Sequence, residues 1–126
     1  MKKAIIPEGA VGPSVPLSPA IQAGRLLFVS GQVSLDLKTG KFVPGGIREQ
    51  TEQTLKNLQA VLESGGASLK DVARTNCYLT DMADFPGFNE VYRSFFSEPF
   101  PARTTTEVSK LAGQFIVEID AIAVLD

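Results

Sequence analysis

A chain of 126 residues with 44% hydrophobic and 21% charged residues is an ordinary globular composition, sized for one domain with a real core. It holds no histidine and one cysteine, so a serine–histidine triad, a cysteine–histidine pair and a histidine-bearing zinc site cannot be assembled within one chain. The net charge of −2, with no basic run, lacks the electrostatic footprint of a nucleic-acid binder, and no apolar run approaches membrane-spanning length.

Lys3 to Ile6 reads as a short first strand; Met1-Lys2-Lys3 leads into too few apolar residues before Pro7 and Gly9 for a secretory leader. Pro7 to Pro19 carries four prolines and is expected to be an extended surface loop. Ala20 to Ala23 and Leu26 to Ser30 form a hairpin turned at Gly24-Arg25, with Val33 to Leu35 continuing the second strand and Asp36 to Gly40 making a turn. From Ile47 to Ser64 the period becomes helical: Ile47, Thr51, Leu55, Leu58, Val61 and Leu62 share a stripe, with Gly45-Gly46 at the start and Gly65-Gly66 as the left-handed stop. Val72 to Thr80 is a strand with Ala73, Thr75, Cys77 and Leu79 on one face; Cys77 is a small core residue, and its lack of a partner fits a reducing cytoplasm. A second helix starts at Asp81 or Asp84, with Pro86 in its first turn and Phe85, Phe88, Tyr92, Phe95 and Phe96 as a core-facing stripe, and ends at Pro99 and Pro101. A strand follows over Ala102 to Glu107, and the last runs from Phe115 to Leu125.

That last strand fixes the architecture. Its apolar residues lie on both faces, whereas two helices can cover only one face of the sheet. The order β-β-β-α-β-α-β-β therefore predicts an α+β sandwich, one domain over 1–126, whose open sheet face is buried against other copies of itself.

Three places carry candidate chemistry. Arg103 follows Phe100-Pro101-Ala102 into a threonine run; its guanidinium is a fork suited to a carboxylate, or else it is a solvated strand-end charge or a structural ion pair. Gly31, at the end of a buried strand, marks a bulge or a place where a ligand reaches the backbone. Glu118 and Asp120 point the same way among aliphatics; either they are structurally paired, or Arg103 on the adjacent strand holds an anion while an acid orients water. No P-loop occurs and no GxGxxG follows a strand, which leaves cofactor-free chemistry or simple binding.

Val29-Ser30-Gly31-Gln32, Glu49-Gln50-Thr51, Asn57-Leu58 with Val61-Leu62, Asn89-Glu90-Val91-Tyr92 with Phe95-Phe96, Phe100-Pro101-Ala102-Arg103, and Val117-Glu118-Ile119 with Ala121-Ile122-Ala123 together resemble the reactive-intermediate deaminase family, RidA or YjgF-like, nearly end to end. The resemblance implies a chorismate-mutase-like fold, a homotrimer with a central barrel and three sites in the clefts between subunits. It also implies hydrolysis of 2-imino acids or their enamine tautomers, such as 2-aminoacrylate, to 2-oxo acids and ammonia without metal or cofactor. Arg103 would then hold the substrate carboxylate, Glu118 would position water, Gly31 would contact the ligand through its backbone and Asn89 would line the site. Thr105 stands where many members have cysteine, and Leu17, in Leu17-Ser18-Pro19-Ala20, where many have tyrosine. Two other readings stand beside this one: a non-catalytic carboxylate or oxo-acid binding trimer, and a ribonuclease, against which the acidic balance argues.

Overall fold

The computed structural model describes all of Met1–Asp126. The elements are β1 (Lys2–Ile5), β2 (Ala20–Ala23), β3 (Leu26–Gln32), α1 (Ile47–Ser64), β4 (Val72–Leu79), α2 (Phe85–Phe95), β5 (Ala102–Glu107) and β6 (Val117–Val124). They make a mixed α+β fold: one sheet in the order β1-β2-β3-β6-β4-β5, antiparallel except for the parallel β4–β5 pair, with α1 and α2 packed side by side on one face.

The helix boundaries follow from local chemistry. At the start of α1, Glu49 reaches back to accept the Gly46 N–H at 2.9 Å, which satisfies an orphan donor and puts negative charge at the positive end of the helix. The helix stops where Gly66 turns left-handed at φ +83° and Ala67 N–H donates to Leu62 O at 2.9 Å. Asp81 caps a single 3₁₀ turn by accepting from Ala83 N–H at 2.9 Å, and α2 follows with Pro86 in its first turn.

The core lies between helices and sheet. Leu55, Leu58, Val61 and Leu62 of α1, Phe88 and Tyr92 of α2 and Phe96 just past its end meet Leu27 and Val29 of β3, Cys77 and Leu79 of β4, and Val117, Ile119, Ala121 and Ala123 of β6. Strand alternation sends the other residues of β3 and β6 away from the helices. Leu26 pairs with Val124 and Phe28 with Ile122 there; Leu26, Phe28 and Val124 are 39%, 41% and 38% exposed, so an apolar patch lies on the uncovered face as the two-sided last strand implied.

Four local expectations are corrected. The register slips between Val72 and Arg74, and the extra residue turns Ala73 out to solvent while Thr75, Cys77 and Leu79 stay buried. β3 ends at Gln32; Val33 to Leu35 contributes only a single bridge, Leu35 to Phe42. Phe115 lies before β6, in a segment tied to α1 when Gln50 Oε1 accepts the Ile116 N–H at 3.1 Å. The strand carrying Arg103 is not adjacent to the one carrying Glu118, because β4 lies between them.

Candidate active site

Arg103 sits on β5, an edge strand paired only to β4, where its register partner is Thr75. Thr75 is fully buried under α2, so Arg103 too leaves the sheet on the helix side. Its guanidinium carbon lies 5.6, 5.4 and 4.8 Å from the ring centroids of Phe85, Phe88 and Tyr92. The chain's ion pairs are Arg48–Glu90 and Lys56–Glu52, so the Arg103 charge is held against aromatic faces with no carboxylate to neutralise it. It opens into a cleft of about 340 Å³ lined by Asn89, Tyr92, Arg93, Phe100, Pro101 and Arg103. Two residues along the same face of β5, the Thr105 hydroxyl is buried without a hydrogen-bond partner. A larger hollow of about 520 Å³ lies beyond Pro101, between Leu69-Lys70 and Phe95-Phe96, and contains none of the candidate site residues.

Glu118 belongs to the opposite face. It alternates with buried Val117 and Ile119 and pairs in register with Tyr78, three residues from Thr75 along β4. Burial, and then the nearby Asp120, raise the Glu118 carboxyl above its ordinary value. Asp120 is fully engaged: it accepts from Asn76 Nδ2 at 3.0 Å and Tyr78 OH at 2.9 Å. That bond is the first cause of the raised Tyr78 pKa. Gly31 lies directly beneath Glu118. A Cβ there would land on Glu118 Oε2 and 2.7 Å from Cδ, so the missing side chain makes room for the carboxylate. The register slip between Val29 and Gln32 makes Gly31 a bulge as well as a close approach. Ser30 donates through Oγ to Ser18 O at 2.6 Å and through N–H to Pro19 O at 3.0 Å, which docks the exposed Leu17 loop beside Gly31.

The sequence candidates thus fall into two groups on opposite faces of one chain. Arg103, Thr105 and Asn89 belong to the helix side; Glu118 and Gly31 belong to the uncovered side, with the Leu17 loop running beside Gly31. The reading in which Arg103 and an acid meet from adjacent strands within one chain is corrected by this geometry. So is a structural Arg103–Glu118 pair, while Asp120 is paired, to Asn76 and Tyr78. Cys77 is buried and its thiol is pushed up to about 11 by desolvation first, an inert core residue. Sequence reasoning missed one feature: Phe85, Phe88 and Tyr92 are core and at the same time the seat of the guanidinium. Their spacing could have indicated it, since residues three and four apart on one helix face present their rings to a single point.

A single α+β sheet with two helices on one face, an unneutralised arginine in a cleft and an unpaired carboxylate over a glycine define a class that the comparisons then specify. Residues 8–125 match a family model described as Endoribonuclease L-PSP, and the chain belongs to that family, the YjgF/RutC family. It is 49% identical over 123 residues to the RutC family protein PH0854 of Pyrococcus horikoshii, covering 98% of each chain. It is 43% identical over 109 residues to the 2-iminobutanoate/2-iminopropanoate deaminase of Mus musculus, covering 86% of this chain and 81% of that one. Among solved structures, TdcF of E. coli with bound serine superposes with a TM-score of 0.90 at 32% identity, over 98% of this chain and 99% of that one.

Proposed function

We propose that the protein is a cofactor-independent deaminase that hydrolyses 2-imino acids, 2-iminopropanoate and 2-iminobutanoate among them, and their enamine tautomers to 2-oxo acids and ammonia. We propose further that it works as a homotrimer in which Arg103 of one copy and Glu118 of a neighbouring copy face the same cleft. The observation that carries this reading is the separation itself. An unneutralised guanidinium and an unpaired carboxylate sit on opposite faces of each chain, and β5 and the apolar Leu26–Val124 patch are both uncovered. A second copy supplies the missing half of each site by closed symmetry.

The chemistry needs little more. Arg103 takes the substrate carboxylate in two parallel N–H···O bonds. C2 of an imine is already electrophilic, so the remaining task is to hold water within about 3 to 3.5 Å of it. The Glu118 carboxylate takes a proton as the water oxygen bonds to C2 and the C=N π pair moves to nitrogen, and returning that proton to nitrogen gives a tetrahedral amino-alcohol; Glu118 then carries the hydroxyl proton to nitrogen in the same way, so the C–N bond breaks, ammonia leaves and the C2–O bond becomes a carbonyl. A raised Glu118 pKa brings this base nearer to neutrality, where it accepts protons more readily. Thr105 and Asn89 offer hydrogen bonds to the ligand, and Gly31 offers its backbone.

The deaminase named above is a relative over most of this chain, and TdcF binds serine, a carboxylate-bearing molecule, on the same fold. The test is release of 2-oxo acid and ammonia from imino acid generated in situ by an amino-acid oxidase. Acceleration over the uncatalysed rate that is lost in Arg103→Ala supports the reading. Tight oxo-acid binding without turnover would make the protein a binding module instead, and RNA cleavage abolished by the same substitution would make it a nuclease.

A further inference from the structure

The three rings beneath Arg103 are not equivalent. Tyr92 is nearest, at 4.8 Å, and it is the one ring with a polar atom to satisfy once buried. Its hydroxyl lies 2.7 Å from Thr75 Oγ1, and Thr75 is the β4 residue in register with Arg103. The bond therefore links the face on which the guanidinium rests to the strand from which the Arg103 backbone hangs. β5 is paired on one side only, so β4 sets its frame.

We infer that the Thr75–Tyr92 pair is a positioning device for Arg103, fixing the plane on which the guanidinium lies so that its donor edge faces the cleft with its charge unspent. This rests on the reading of Arg103 as the carboxylate anchor. The chemistry explains why aromatic faces do this work. A carboxylate partner would orient the fork equally well but would occupy its N–H donors and cancel the charge that the substrate needs. A ring attracts the cation through its face and leaves the in-plane N–H edge free. A phenylalanine would supply the face but could slide along the core. The hydroxyl bonded to Thr75 removes that freedom, while Phe85 and Phe88, at 5.6 and 5.4 Å, close the other sides.

Arg103 grips the carboxylate in substrate and transition state alike, so loosening its aim raises KM and leaves kcat nearly unchanged. A purely structural bond would instead lower the melting temperature and the active fraction without moving KM. The experiment compares Tyr92→Phe, Thr75→Val and the double variant by imine hydrolysis kinetics, by calorimetric titration with 2-oxobutanoate and by thermal melting, with Arg103→Ala alongside. We expect KM and the oxo-acid Kd to rise by about fivefold to tenfold in each single variant, with kcat within about twofold of wild type. The double variant should be no worse than either single one, because both remove the same bond. Tyr92→Leu, which takes away the face itself, should raise KM further. Unchanged KM and Kd in both single variants, whatever the melting temperature, would overturn the inference and leave the Arg103 reading intact. Unchanged Kd in Arg103→Ala would overturn both, since there would be no anchor to position.

Discussion

Glu118 depends at residue scale on two neighbours, Asp120, which strand alternation puts beside it, and Gly31, which sequence alone would not assign to it. Gly31 gives it space. Gly31→Ala places a methyl group where the carboxylate now lies, and the displaced atoms are the free end of a flexible side chain, so the sheet should survive while the base moves. We expect a loss of turnover of about 10- to 100-fold with little change in melting temperature, because a misplacement of about 1 Å is enough to cost that much. Asp120 affects its charge. In the proposed mechanism Glu118 must be deprotonated to accept a proton, so activity should be present above its raised pKa and lost as pH falls through it. Asp120→Asn removes the like charge that helps hold that pKa up, so the acid limb of the pH–rate profile should move to lower pH; a limb that stays put or moves upward would remove Glu118 as the titrating base.

At the scale of elements, some of the residues that carry the family resemblance prove to be anchors for loops. Asn57, buried in α1, donates through Nδ2 to Val33 O at 2.9 Å and Leu35 O at 2.7 Å, and accepts from Gln53 Nε2 at 2.9 Å. Gln50 does the same for Gly45 O and Ile116 N–H, at 3.0 and 3.1 Å. Asn57→Asp keeps the shape but turns both donated bonds into carboxylate–carbonyl repulsions, so urea denaturation should show a loss of about 3 kcal/mol. KM of the folded protein should be unchanged, because Asn57 touches neither half of the site. The elements themselves were largely legible. The Leu55-Leu58-Val61-Leu62 stripe with flanking glycine pairs gives α1 its observed bounds, and the Gly24-Arg25 hairpin sits where the turn residues put it. Two features were not legible, for one physical reason. The bulge that exposes Ala73 and the placement of β4 between β5 and β6 are set by pairings between residues far apart in the chain. Local period carries no record of such pairings. Arg103 and Glu118 were found as residue types in telling places, but their assignment to opposite faces depends on that strand order.

The whole molecule has an uncovered apolar sheet face, an unpaired β5 edge and candidate site residues divided between two faces, all of which the proposed assembly into closed rings of three would address. Light scattering should then give about three times the 13.5 kDa chain mass. Assembly alone does not test where the site lies, but mixing crippled subunits does. Arg103→Ala and Glu118→Gln chains, each nearly inactive alone, should be co-expressed with different tags and the mixed trimers purified through both. If each site takes its arginine from one copy and its glutamate from the next, every mixed trimer of either composition regains one intact site in about three, from the symmetry of a three-membered ring. We expect the purified mixed trimers to recover about a third of wild-type imine hydrolysis per trimer on that basis. Mixed trimers as inactive as their two parents would contradict the account, because the arginine and glutamate of each site would then have to come from the same chain.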